Sequence, residues 1–189
     1  IYRGTNFRQE KTIMLEGPVA GLSPSMDGKD LFAITRDPSS MVRIRVADLS
    51  PQVSLKVSGT PVDFVFSKDG RFAWVAGRGH TFDQSSEERA PEPGVLSLVR
   101  LKDFRVVDFA PLSAGVRALA ISRSGKYLYA LCDEEGEVQV LDAFSSKIRA
   151  RLPLHGSPVA MILSDDGRRL YVAHRDLKQI SEIRLGAWR

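Results

Sequence analysis

The chain has one cysteine, Cys132, among 189 residues. A single thiol excludes an internal disulfide framework and any cysteine-based zinc cluster. No apolar run approaches the ~18 residues that a membrane-spanning helix needs. Aromatic residues make up only 8% of the chain, and charge of neither sign dominates: 27 Lys+Arg stand against 23 Asp+Glu, a formal net charge of +4. No G-x-S-x-G elbow, H-E-x-x-H pair or phosphate-cradling glycine loop is present; Gly77-Arg78-Gly79-His80 is too short for the last and precedes no helical pattern. No segment has convincing amphipathic helical spacing. The chain opens at Ile1 with no Met, basic n-region or apolar h-region, so a targeting signal is expected to have been removed, or the chain to be an excerpt of a longer one.

What is present is an ordinary globular composition, 43% hydrophobic and 26% charged, arranged in a repeat. Pro61-Val62-Asp63-Phe64-Val65-Phe66-Ser67 leads to Asp69-Gly70-Arg71-Phe72-Ala73-Trp74-Val75. The same pattern starts at Pro18, Gly115 and Pro158 and turns at Gly28, Gly125 and Gly167. Successive turn glycines are 42, 55 and 42 residues apart, the middle interval carrying a 13-residue insertion. Asp-Gly or Ser-Gly between two short apolar runs predicts a β-hairpin, because glycine adopts positive φ without a steric penalty and the Asp or Ser side chain bonds the local backbone. Two further strands are expected after each hairpin, at 42–49 and 53–57 in the first repeat and at 138–141 and 148–152 in the third. Val42-Arg43-Ile44-Arg45-Val46 alternates apolar and charged residues, as a strand with one buried face does. Four short antiparallel strands per ~42 residues describe a β-propeller blade, which cannot bury both faces without neighbours. The fold class expected is therefore all-β, a propeller of four-stranded blades.

The unit Pro-Val-x-Φ-x-Φ-Ser-x-Asp-Gly-x-x-Φ-Tyr-Val resembles the YVTN-type propeller repeat, with Leu170-Tyr171-Val172-Ala173 and Leu128-Tyr129-Ala130 in the position that names the family. That family includes surface-layer propellers and is similar to lactonase-type and amine-dehydrogenase heavy-chain propellers. The resemblance covers residues 10–186 and implies a fold more than an activity, since the repeat hosts catalysts and passive scaffolds alike. It also implies a bacterial or archaeal protein exported to the periplasm or cell exterior; one cysteine fits the cytosol equally. The Trp-Asp dipeptide of WD repeats is missing.

The expected blades are 17–59, 60–114, 115–156, and 157–185 completed by residues 10–16 as an outer strand. Three complete blades and one shared between the termini leave three possible assemblies: a segment of a larger ring of about six to eight blades, a half-ring pairing with a second half, or a closed four-bladed ring.

Fixed offsets from each turn glycine place Arg36, Arg78, Asp133 and Arg175 in the second-to-third-strand loops, followed by Asp37, Gly79, Glu134 and Asp176 and preceded by Thr35, Gly77, Cys132 and His174. These residues are expected to ring one end of the molecule, with His80 on the insertion beside them. Three arginines there would suit a carboxylate, a phosphate or an acidic protein surface; local pairing of Arg36 with Asp37 and of Arg175 with Asp176 is the competing reading. The binding set is thus Arg36, Asp37, Arg78, His80, Asp133, Glu134, His174, Arg175 and Asp176. No metal site is expected from the three histidines, which lack ligand spacing, and no cofactor, as no ligand set for haem or quinone exists. The 19 arginines are scattered and not interleaved with aromatics, which disfavours nucleic acid. Cys132 reads as a small buried hydrophobe. Phe32, Trp74, Tyr129 and Tyr171, with Phe72 and Tyr127, read as blade-packing residues. The function expected is a binding scaffold for a protein partner, a second propeller half or a small anion. A lactonase-like enzyme using His174, Asp176 and Asp133, or a redox heavy chain, is the alternative.

Overall fold

The computed structural model describes residues 11–79 and 92–188. Among the described residues, fifteen strands form four antiparallel meanders. The first sheet contains β1 (Val19–Pro24), β2 (Asp30–Arg36), β3 (Ser39–Arg45) and β4 (Ser50–Lys56). The second contains β5 (Thr60–Phe66), β6 (Phe72–Arg78), β7 (Gly94–Arg100) and β8 (Arg105–Leu112). The third contains β9 (Val116–Ile121), β10 (Tyr127–Cys132), β11 (Glu137–Asp142) and β12 (Ile148–Pro153). The fourth has β13 (Pro158–Leu163), β14 (Arg169–His174) and β15 (Gln179–Arg184) only. This is a propeller-like arrangement, and the sheets are called blades 1 to 4 below.

The first hairpins of blades 1, 2 and 4 are built by one side-chain device. Ser67 Oγ donates to Asp69 Oδ1 at 2.6 Å and accepts from the Phe72 amide, while Asp69 Oδ1 accepts the Arg71 amide. Ser164 and Asp166 repeat this set, and Ser25 and Asp27 do so in blade 1. The glycine amide donates back to the serine carbonyl in all four turns, and each glycine has φ between +66° and +74°. The turns also stack on one another. A Cβ on Gly70 would meet Met26, one on Gly125 would meet Lys68, and one on Gly167 would meet Arg123. The residue after the turn serine thus rests on the glycine of the next blade. Gly28 has nothing within 4 Å.

The hydrophobic cores lie between blades, not within them. Phe32, Ile34 and Met41 of blade 1 pack on Phe64, Ala73 and Val75 of blade 2. Trp74, Ala76 and Leu96 meet Leu128, Ala130 and Leu141. Tyr129, Leu131 and Val140 meet Met161, Leu170 and Val172. Each large side chain so buried contributes ~1.5–3 kcal/mol, and a blade alone has no such partner. Inner strands β1, β5, β9 and β13 carry these contacts from blade to blade.

The ends of the arc differ from the expected closure. Among the described residues, 11–16 form no strand, and β15 pairs with β14 alone; Glu10 lies outside the described residues. Ile13 and Leu15 instead cover Ala33, Val42 and Ile44, the face of blade 1 turned away from blade 2, and Lys11 Nζ donates to the Asp48 carbonyl. The alternating apolar side chains take the open apolar face of blade 1, not the edge of blade 4. The outer face of blade 4 carries Ile162, Tyr171 and Ile180, placed together by register and strand alternation, and Ile162 and Ile180 are 65% and 71% exposed. The strand expected at 42–49 stops at Arg45; residues 46–49 turn, with Leu49 at φ 53°.

Candidate functional site

The second-to-third-strand loops do gather at one end of the blades, because β2, β6, β10 and β14 all finish there. What the loops do differs by blade, and the difference is electrostatic. Arg78 reaches across to blade 3, where Nε donates to the Val116 carbonyl at 3.0 Å and Nη2 to Asp133 Oδ1 at 2.6 Å. Glu134 Oε1 stands 3.7 Å from Arg78 Nη1. Asp133 Oδ2 accepts Arg117 Nε at 2.6 Å, so one carboxylate holds two guanidinium groups. Asp133 is the sole acid at a repeat position that is Arg in the other three blades. That reversal lets Arg78 bridge blades 2 and 3. Arg36 finds Arg78 at the equivalent position of its neighbour and forms no such bridge.

Arg36, Asp37 and Arg175 remain exposed, with no side-chain ion pair to another described residue. Asp176 turns inward on its own blade and accepts the Ser157 amide at 2.8 Å, the Ser157 hydroxyl and the Leu177 amide. The Ser157 amide bond is the chief cause that holds its carboxyl below the usual range. The local pairs expected, Arg36 with Asp37 and Arg175 with Asp176, do not form. His174 is buried, not on the loop; Nε2 contacts Ser181 Oγ at 2.9 Å, and Nδ1 has no partner. His80 and residues 81–91 of the insertion lie outside the described residues. Among the described residues, no group of three His, Cys, Asp or Glu side chains converges as metal ligands. His174, Asp176 and Asp133 are each held by partners that the others do not share.

Cys132 is fully buried, and desolvation first, then the charges of Glu137 and Asp133, push its thiol up to about 12. It is packing material, as its place in an apolar strand indicated.

Two contributors escaped sequence reasoning. Arg117 stands where the other repeats have Ala20, Val62 and Val159, and that break in an apolar column is the available signal. Asp63 similarly replaces Gly21, Ala118 and Ala160. Its Oδ2 accepts the Leu119 amide at 2.8 Å and its Oδ1 the Phe64 amide, tying inner strand β5 to inner strand β9. Burial raises its carboxyl above the usual value, against the pull of those amides.

A 520 Å³ cleft opens between blades 2 and 3 at the opposite, hairpin-turn end, lined by Trp74, Leu98, Lys68 and Phe144. A cleft of 630 Å³ between blades 1 and 2 is lined largely by paired charges, Arg43 with Asp30 and Arg71 with Asp69.

No family model and no curated protein matches the chain. Solved structures do, 1169 chains in all, so the shape is widely shared and by itself names no activity. One of them is hydrazine synthase of Kuenenia stuttgartiensis, superposed with a TM-score of 0.74 over 90% of this chain at 19% identity. The chain spans 55% of the length of that solved chain. At such identity the likeness is one of fold, and the four stacked antiparallel sheets are accordingly similar to a propeller-type architecture.

Proposed function

We propose that this chain is a propeller-type binding scaffold whose principal partner is a second copy of itself, supplying the further blades of a second half-ring. The observation that carries this reading is the outer face of blade 4. It is built like the faces buried between blades, yet Ile162 and Ile180 stand in solvent there. Tyr171 occupies the position of Phe32, Trp74 and Tyr129, all of which are buried under a neighbouring blade. Exposed apolar patches of this kind mark interaction surfaces. The YVTN-type repeat and an extracytoplasmic, bacterial setting belong to the same proposal and rest on the repeat residues. Arg36 and Arg175 have no acidic partner among the described residues and suit an acidic surface on the second copy, whereas Arg78 is committed to Asp133. An enzymatic reading draws no support from the positions of His174, Asp133 and Asp176.

Sedimentation velocity tests the proposal. At tens of micromolar, a range in which specific protein interfaces are occupied, the 20.9 kDa chain is expected to run as an assembly. The double variant Ile162→Asp, Ile180→Asp is expected to run as a monomer with an unchanged circular dichroism spectrum. A parent chain that stays monomeric throughout, or a variant that assembles as the parent does, overturns the second-half reading.

A further inference from the structure

The third-to-fourth-strand turns of blades 2, 3 and 4 occupy equivalent places. Leu101, Ala143 and Leu185 each donate their amide to the carbonyl of the residue after the turn glycine, Arg71, Lys126 and Arg168. Three residues further on stand Phe104, Ser146 and Trp188. In blade 2, Phe104 is buried against Phe32 of blade 1, with centroids 5.9 Å apart. In blade 4, the Trp188 carbonyl accepts the hydroxyl of Tyr129 of blade 3, and its ring meets Tyr127 edge-on at 5.3 Å. Blades 2 and 4 therefore each send an aromatic ring onto an aromatic residue of the blade before. Blade 3 does not. It has Ala143 where its neighbours have Leu, and Ser146 where they have Phe or Trp.

The cleft between blades 2 and 3 opens beside Trp74 at that turn, with Ala143 in its lining. Trp74 is 4% exposed, and its indole N–H is buried without an acceptor. Lys68 lies at the rim with no acidic side chain paired to it among the described residues, while Arg71 is held by Asp69 at 2.5 Å. Phe144 stands almost fully exposed at the mouth, a free apolar wall.

We infer that this cleft is a binding site for a planar aromatic carboxylate. Its ring lies against Trp74 and Leu98 beside Ala143, the exposed Phe144 ring walls the mouth, and Lys68 attracts the carboxylate. A volume of 520 Å³ lies within the range of small-molecule pockets.

The test uses 2-naphthoate and its neutral amide, 2-naphthamide, titrated calorimetrically into the whole chain. Saturable one-site binding of 2-naphthoate is expected, with a ring-current shift of the Trp74 indole resonances. Filling the cleft with Ala143→Leu, and separately with Ser146→Phe, is expected to weaken binding at least ~tenfold, the equivalent of ~1.4 kcal/mol. Phe104 already holds a ring at the φ of 46° that Ser146→Phe requires, Ser146 itself lying at 55°. The exposed Lys68→Gln leaves the fold untouched and is expected to weaken 2-naphthoate by ~threefold, as a solvent-screened charge does, and 2-naphthamide not at all. Absence of saturation at about 5 mM, where a Kd that weak means no site, overturns the inference. So do filled variants that bind like the parent, or a Lys68→Gln effect equal on acid and amide.

Discussion

At the scale of single residues, charge decides which repeat positions are structural and which are free. Asp133 is mostly buried between Arg78 and Arg117, and removing it takes from Arg117 its carboxylate and leaves Arg78 with backbone carbonyls and Glu134. Asp133→Ala is expected to destabilise the fold by ~1–3 kcal/mol, the cost of stranding a charged hydrogen-bond partner. Arg36→Ala, at the equivalent position of blade 1, is expected to stay within ~0.5 kcal/mol. Urea denaturation of the two variants checks the contrast. Acid tests a second group. Asp69, Asp103 and Asp142 are each lowered from the usual 3.8 to about 2, by hydrogen bonds from Ser67, Arg100 and the Ser145 amide respectively. A carboxyl depressed in the folded state contributes stability above pH ~4 that is lost as pH falls towards ~2. Asp142→Asn should therefore flatten the fall of Tm over that window. Asp63 runs the other way. Its folded-state value is raised by burial, so its contribution is full at low pH and is lost as pH rises through the raised value. In Asp63→Asn the stability that the parent loses over that rise no longer varies with pH.

At the scale of the element, the Ser-x-Asp-Gly hairpin is the unit the chain repeats, and it was legible in the sequence because it is local. Serine, aspartate and glycine lie within four residues, so one motif announces the strands on either side. Strand ends were less legible where a turn residue looks like a strand residue. Leu49 and Phe104 both sit at positive φ despite bulky side chains, a conformation that no local pattern announces. Side-chain contacts between residues far apart in the chain were the least legible. Arg117 and Asp63 act on partners 16 and 56 residues away, Asp133 and Leu119, and only their break with an apolar column hinted at a role. The fate of residues 11–16 was misread for the same reason: their alternation identifies a segment with one apolar side but not the sheet that receives it. Glycines allow a controlled test of crowding at element ends. Gly28 and Gly115 have φ of 69° and 73°, yet a Cβ on Gly28 meets nothing within 4 Å and one on Gly115 would lie 2.4 Å from Asp133 Oδ1. Gly28→Ala is expected to cost ~1 kcal/mol from the backbone alone, and Gly115→Ala at least ~2 kcal/mol more, as overpacking does. Thermal unfolding of the pair separates the two terms.

At the scale of the whole molecule, stability is passed from blade to blade, as in other repeat proteins. The two ends of the arc are therefore its weakest parts. Blade 1 has Ile13 and Leu15 as a cover, and blade 4 has none among the described residues. The stacked turns add a sense of direction to this picture. Met26, Lys68 and Arg123 each rest on the glycine of the following blade, so the series offers Asp165 at one end and an empty place over Gly28 at the other. A twofold contact of blade 4 with blade 4 would set two Asp165 residues against each other and leave both Gly28 positions vacant. Growth that continues the stack is head-to-tail. A head-to-tail contact closes only if its rotation divides a full circle; otherwise it winds into an open filament. The angle between successive blades thus selects between a finite ring and a fibre.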